Sequence, residues 1–387
     1  LPQMLEVEAV PMEQALGRIV GSDGAAPINV PPHANSALDG YALRAADSQG
    51  ARGLVQVSQR IAAGQVGEPL QAGTAARIFT GAPLPPGADA VVMQENTRAE
   101  DEAISILQAV VPGENVRAAG EDIVAGAKLF GEGRRLRPQD IGVLASVGLT
   151  RVTVRRALRV ALLVTGDELV PPGTELKPGQ IYNSNNYTIA ALLRNLGAEV
   201  IEMGVVGDGF NTTQSVLKTA AEQVDVIIST GGGSVGEEDH VKPAVESLGG
   251  LDMWKLAIKP GKPFASGKVC GKQFFGLPGN PVSAFVTFVL LVRPALLSMQ
   301  ACDRPFSDWI DVPAGFDRAQ CGERQEYIRV TLGRNAEDGL SLKPLDNQSS
   351  GVGASLSVAD GLAIIPPHTA VAEGDKLRYL SFAELTN

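Results

Sequence analysis

Apolar and polar positions divide the chain into stretches of different rhythm. Across 26–126, apolar residues come in short groups such as Arg77-Ile-Phe-Thr80 and Ala90-Val-Val-Met93. These are broken by Gly64, Gly67, Gly73, Gly81 and the turn Pro83-Leu-Pro-Pro-Gly87. Short groups between turn residues predict a β-rich unit. Ahead of it, Val10-Pro11-Met12-Glu13 leading into Ala15-Leu16 predicts a short helix within 1–25. Behind it, 138–147 predicts a helix with proline in its first turn. At Leu158 the rhythm changes. Arg159–Thr165 is a continuous apolar run, as expected of a strand buried on both faces. Residues 183–196 set Ile189, Leu192, Leu193 and Leu196 on one helical face. Strands at 198–206 and 225–230 then alternate with helices at 212–223 and 238–248, and Ile258 and Phe264 mark further extended segments. Asn280-Pro281 opens a long apolar helix reaching Met299. Strands alternating with helices predict a mainly parallel sheet covered on both faces.

The rest of the chain, 305–387, returns to short β segments. The expected organisation is therefore α/β plus β. A linking segment comprises 7–25 and 127–154, and a β-rich domain spans 26–126. An α/β domain spans 155–304 with 1–6, and a C-terminal β-barrel-like domain spans 305–387. The 387 residues suffice for that many cores at roughly 150 residues per domain.

Charge narrows the partners. Lys plus Arg total 33 against 43 Asp plus Glu, a net charge of −10, and aromatics make up only 5%. Such a surface disfavours nucleic acid and anionic membranes. Cys270, Cys302 and Cys321 are widely spaced, which fits a reducing, cytoplasmic compartment and excludes a disulfide framework. The longest apolar run, 284–292, is half a membrane span, so no transmembrane helix is expected; the acidic start at 1–6 predicts no signal peptide. Glycine is in excess at 44 residues. What an acidic, glycine-rich chain binds is the question its chemistry must answer.

In open α/β sheets, ligands sit outside the C-terminal ends of the strands. Three such ends carry carboxylates here: Asp167-Glu168, Asp208, and the loop Thr230-Gly231-Gly232-Gly233-Ser234-Val-Gly-Glu237-Glu238-Asp239. The glycines let backbone N–H groups approach an anion, and acids beside a phosphate call for a bridging cation, for which Mg²⁺ is the usual choice. No Gly-Lys-Ser/Thr follows, so this is not a P-loop. Lys255, Lys259 and Lys262 cluster around Pro260 and Pro263, a set of point charges for an oxyanion. Gly276-Leu-Pro278-Gly-Asn-Pro281-Val-Ser283 is a rigid turn opening the apolar helix. In the β-rich half, Asp39, Thr80 and Arg117 through Asp122 each pair a polar group with a glycine turn, and turn formation alone can account for them. No Ser-His-Asp or Cys-His arrangement has supporting spacing.

At these segments the sequence resembles the molybdopterin molybdenumtransferase family, the bacterial MoeA proteins and the gephyrin E domain. The matching segments are NSALDGYALR (35–44), RIFTGAPLPPGADAVVMQE (77–95), GED (120–122), TGDEL (165–169), GQIYNSN (179–185), STGGGSVGEEDH (229–240), KLAIKPGKPFASG (255–267) and GLPGNPVSA (276–284). The resemblance implies an elongated multidomain subunit with a central molybdopterin-binding-like α/β domain. It implies insertion of molybdate into adenylylated molybdopterin, with Mg²⁺-assisted release of AMP. It also implies a homodimer whose site is shared between the central domain of one subunit and the β-rich domain of its partner. Carried over by motif, Glu168, Asp208 and Asp239 would serve the metal and the nucleotide phosphates. Gly231, Gly232, Gly233 and Ser234 would cradle the substrate. Lys255, Lys259 and Lys262 would hold anionic groups, molybdate included, and Pro278, Pro281 and Ser283 would shape the pocket. Asp39, Thr80, Arg117 and Asp122 would come from the partner, while Arg324 or Arg329, and Ser350, match more loosely. A molybdopterin adenylyltransferase and molybdoenzymes would be its protein partners. Two other readings stay open: an adenylyltransferase-like enzyme, and a scaffold of the gephyrin type. Preference between molybdate and tungstate is also left open, since the two oxyanions share charge and size.

Overall fold

The computed structural model describes every residue except 1, 2, 4, 50–53, 208, 232–239, 320–321, 335–338 and 387. Near the N-terminus, Val7–Pro11 is a strand, not the expected helix, and only a single 3₁₀ turn, Met12–Gln14, follows it. The reason is a distant partner: Val7–Pro11 pairs antiparallel with Arg151–Arg155. Gly24–Ala25 likewise pairs with Lys128–Phe130, so the two linking segments close around Val10, Val20, Leu136, Leu144 and Val154. The helix Pro138–Ser146 packs here with Pro in its first turn, its Asp140 accepting from the Arg137 amide at 2.9 Å.

The β-rich region forms a six-stranded sheet in the order Ala90–Met93, Gly40–Leu43, Thr74–Ile78, Leu54–Ile61, Ala103–Ile106, Thr97–Glu100. Alternate residues feed different cores. Leu43, Val55, Val92 and Ile104 meet in one, and Ile61, Ile78 and Val91 in the other. This follows from the two-residue period of a strand.

The central sheet has the order Glu199–Val206, Arg159–Thr165, Val226–Thr230, Lys272–Leu277, Pro263–Val269, Gly249–Lys255. The first four strands are parallel, and the last two are added at the edge through antiparallel pairings. Helices cover both faces. Val160 and Leu162 pack with the helix Ser184–Asn195 and the helix Pro281–Met299, while Ala161 and Leu163 pack with Phe210–Gln223 and Val241–Leu248. The unbroken apolar run at Arg159–Thr165 is thus explained by two cores, one on each side. Pro281–Met299 contains a π segment at Phe288–Val292. By length and composition this helix could cross a membrane, which the run at 284–292 alone did not suggest; in the fold 78% of its most apolar window is buried.

The C-terminal sheet joins Gln325–Arg334, Gly361–Ile365, Lys376–Ser381 and Ile310–Pro313, with Leu340–Pro344 also on Gln325–Arg334. Its outer edge is completed by Ile258–Lys259, which pairs parallel with Gln325 and Glu326. A two-residue strand of the central region therefore ties the C-terminal sheet to the mouth of the parallel strands.

Candidate active site

A cleft of about 1140 Å³ opens at the C-terminal ends of the parallel strands, where the loops after Arg159–Thr165 and Val226–Thr230 meet the turn before Pro281–Met299. Two glycines shape its floor. Gly231 has φ +90°, and a Cβ there would lie 2.3 Å from the Thr165 carbonyl oxygen. Gly166 has φ +141°, and a Cβ there would lie 2.6 Å from Glu168 Oε2. The Glu168 carboxylate therefore folds over a residue that has no side chain. Its own backbone is held by a short parallel pairing, Leu169 with Ile181 and Val170 with Tyr182.

That pairing leads into Ser184–Asn195. Asn183 caps this helix by accepting from the Asn186 amide at 3.2 Å. Asn185 donates from Nδ2 to the Gly279 carbonyl at 2.7 Å, linking the helix start to the turn Pro278–Pro281. The opposite wall brings Lys259, Pro260, Gly261 and Lys262 together with Arg324, Gln348, Ser349 and Ser350 of the C-terminal domain. The Val282 amide donates to the Ser350 carbonyl at 3.0 Å, which pins the two domains across the cleft.

Many sequence-predicted site residues converge here. Glu168, Gly231, Lys259, Lys262, Pro278, Pro281, Ser283, Arg324 and Ser350 all line this one cleft. Lys255 does not. It ends the edge strand Gly249–Lys255, ahead of the turn carrying Lys259 that the hydrogen bond from the Leu256 amide to the Lys262 carbonyl closes. Nor does Arg329, which is 1% exposed. Its guanidinium donates to the carbonyls of Ser349 at 3.1 Å and Asn347 at 2.9 Å, so it holds the 347–351 loop against the cleft from behind. Burial lowers its pKa. Of the two arginines the motif left open, Arg324 reaches the cleft wall, donating to the Ile258 carbonyl at 3.3 Å. Asp208, Gly232, Gly233, Ser234 and Asp239 lie outside the described residues.

Asp39, Thr80, Arg117 and Asp122 are on the N-terminal β-rich domain and are not among the residues lining this cleft. Asp39 and Thr80 form a unit of their own: the Thr80 amide and hydroxyl each donate to Asp39 Oδ1 at 2.8 Å. These two donors, the amide first, hold the Asp39 carboxyl below the usual aspartate range, and the Arg77 charge adds to the effect. Asn185, Tyr182, His240 and Gln348 also line the cleft but had no assigned role. The Asn-rich stretch 179–185 and the Asn-Gln-Ser-Ser-Gly turn at 347–351 were the signals that could have found most of them.

Mg²⁺ takes hard oxygen donors, often one or two carboxylates plus phosphate oxygens, and keeps several waters. No cluster of three or more His, Cys, Asp or Glu occurs among the described residues, and Glu168 is the carboxylate they place on the cleft wall. One exposed carboxylate over a glycine, in a cleft that three cations also line, fits that sparse coordination when a phosphate supplies the remaining oxygens.

Parallel strands with a ligand cleft at their C-terminal ends, completed by cations from two domains, define an α/β protein that handles small anionic molecules. Family models match three consecutive parts: the MoeA N-terminal region (domain I and II) over 1–148, a probable molybdopterin binding domain over 161–298, and the MoeA C-terminal region (domain IV) over 311–382. A molybdopterin molybdenumtransferase of Haemophilus influenzae is 42% identical over 78% of this chain and 74% of its own. Molybdopterin molybdenumtransferase 2 of Mycobacterium tuberculosis is 36% identical over 95% of this chain and 93% of its own. A crystal structure of the molybdopterin biosynthesis MoeA protein from Pyrococcus horikoshii OT3 superposes with a TM-score of 0.82 at 29% identity, covering 99% of this chain and 96% of that one. The chain belongs to the molybdopterin molybdenumtransferase family.

Proposed function

We propose that this protein inserts molybdenum from molybdate into adenylylated molybdopterin, with release of AMP, completing the molybdenum cofactor. The observation that carries this reading is the convergence of Lys259, Lys262 and Arg324 with Glu168 around one cleft. A substrate joining two phosphates, and an oxyanion beside it, both need cations. The three basic side chains supply them locally in a chain whose net charge is −10. Arg324, a planar fork, can take two oxygens at once, and the lysines act as point charges. Pro278, Pro281 and Ser283 give the turn beside them a fixed shape. Glu168, with Asp208 and Asp239, would hold Mg²⁺, which when bound neutralises charge on the phosphate oxygens. No protein nucleophile is needed, since an oxygen of water or molybdate can attack phosphorus as AMP leaves.

The active unit in this reading is a homodimer in the cytoplasm. Asp39, Thr80, Arg117 and Asp122 of a second copy complete each cleft, with a molybdopterin adenylyltransferase upstream and molybdoenzymes downstream. The test is direct. Purified protein given adenylylated molybdopterin should release AMP only when molybdate and Mg²⁺ are both present. Lys262→Ala and Glu168→Gln should each slow that release by more than tenfold, about 1.4 kcal/mol or more of lost stabilisation. AMP release at the parent rate in both variants, or consumption of ATP in place of AMP release, would overturn the reading.

A further inference from the structure

The N-terminal sheet carries a second group of cations remote in sequence from the cleft. Its strands Leu54–Ile61 and Thr74–Ile78 pair so that Arg60 stands directly opposite Arg77, and Tyr41 stands opposite Arg77 on the other side. Like charges opposed across a ladder repel, so this pair opposes the sheet that displays it. Both guanidinium groups gather on one ring: the Arg60 and Arg77 Cζ atoms lie 4.5 and 4.8 Å from the Phe79 centroid, and Arg77 is 5.0 Å from that of Tyr41.

The two arginines differ in what they are doing. Arg77 donates to the Gly40 carbonyl at 2.9 Å and to Gln94 Oε1 at 2.6 Å, which fixes it. Arg60 is exposed and, among the described residues, has the Phe79 ring as its contact and no hydrogen-bond or ion-pair partner. A guanidinium stacked on a ring keeps its N–H donors in plane, directed outward as a fork. That fork matches two oxygens of a phosphate. Of the two, Arg77 is the one whose charge acts on the nearby Asp39 carboxylate, itself held by the Thr80 amide and hydroxyl, so Arg60 is the less compensated cation. The half-buried rings of Phe79 and Tyr41 offer only their remaining surface to a planar organic group. Two cations on a chain of net charge −10 are too few to hold a phosphate polymer.

We propose that the Arg60–Phe79–Arg77 face is a binding site for the phosphate of a small organic phosphate carrying a planar ring, with Arg60 supplying the free fork. This face adjoins Asp39 and Thr80, the residues that the reading above brings to a partner's cleft; binding here needs only that such an ester reach the face, whether or not the reaction proceeds.

The experiment is calorimetric titration of the full-length protein at low salt, with AMP, inorganic phosphate and adenosine as probes. A Lys259→Ala/Lys262→Ala/Arg324→Ala background removes the cleft's three cations, so AMP release by the parent protein and binding at this face are read separately. In that background AMP should still bind, more tightly than inorganic phosphate or adenosine. Arg60→Gln should weaken AMP by at least about tenfold, and Arg60→Lys by less, since a lysine cannot take two oxygens at once. The Arg60→Gln melting temperature should be unchanged or higher, because the opposed charges are relieved. Superimposable AMP isotherms for Arg60→Gln and its background would overturn the proposal. So would adenosine binding as tightly as AMP, which would make the face a ring platform without a phosphate site.

Discussion

Lys259 Nζ donates to Glu326 Oε1 at 3.1 Å, across a parallel pairing that sets the two residues side by side. Lys259 is on the cleft wall, half-exposed, whereas the Glu326 side chain is 5% exposed and its second oxygen accepts from Arg318. An ammonium has three donors. Glu326 occupies one and leaves two for a ligand, so a buried carboxylate of the C-terminal domain fixes where a cleft cation points. Glu326→Gln keeps the shape and removes the charge. A hydrogen bond to a charged group contributes about 1.5–3 kcal/mol. The expected outcome is a KM for molybdate raised about tenfold or more, with a smaller change in kcat, read from initial rates of AMP release. Unchanged kinetics with a lowered Tm would mean that Glu326 only joins the domains.

Gly231 is a site of close approach rather than of flexibility. A Cβ would meet the Thr165 carbonyl oxygen at 2.3 Å, and the φ of +90° disfavours any side chain. The strand ends of Arg159–Thr165 and Val226–Thr230 could not both keep their places. Gly231→Ala should therefore cost about 1–3 kcal/mol from backbone strain alone. It should also weaken ligand binding in the cleft, since the floor itself moves. A thermal melt together with AMP titration checks both. Gly64→Ala is a useful control: its φ is +82°, but nothing lies within 4 Å of a Cβ there, so it should lower Tm without altering binding.

The central domain was the most legible part of the sequence, for a physical reason. Arg159–Thr165 is apolar throughout because two cores need it, and that need is written into consecutive residues. Glu168 and the Thr230-Gly231 start of the glycine loop were legible because strand ends in such sheets face ligands. Pairings between distant segments were not legible. Val7–Pro11 reads as helical until Arg151–Arg155 is beside it. Glu326 carries no local mark of its role, because Lys259 reaches it only through a two-residue strand shared between domains. Arg329 and Arg324 look equivalent in sequence. Arg329, inside the strand Gln325–Arg334, sits beneath the 347–351 loop, while Arg324, just ahead of that strand, is on the cleft wall.

Asp225 makes stability depend on pH at the acid end. Burial would raise its pKa, but the Arg156 guanidinium and the Arg159 amide outweigh burial and hold it below the usual aspartate value. The contacts are 3.0 and 3.1 Å from the Arg156 fork and 2.8 Å from the Arg159 amide. A folded-state pKa below the unfolded one means that the carboxylate stabilises the fold fully above the unfolded pKa. That contribution is lost as pH falls through the folded value. Asp225→Asn should lower stability by about 2 kcal/mol at neutral pH. The gap from the parent should narrow as pH drops below about 4. Urea melts at pH 7 and in the acid range would show it; a gap constant with pH would assign the loss to packing rather than charge.

The separation of Asp39–Thr80 from the cleft yields the sharpest test of a shared site. Within one chain, Asp39 is bonded to Thr80 on the N-terminal sheet, and neither lines the cleft that holds Glu168. If a second copy brings its Asp39 to that cleft, Asp39→Ala and Glu168→Gln proteins should each be inactive alone. In a two-fold dimer each site draws on both copies. A mixed dimer then has one cleft with Glu168 intact facing an intact Asp39, and one cleft lacking both. After subunit exchange at equal concentrations, half the dimers are mixed and half of their sites are whole. Activity should return to about a quarter of the parent level for a dimer of this symmetry. Failure to recover any activity, with exchange verified by mass, would place Asp39 in the same copy's chemistry or in none.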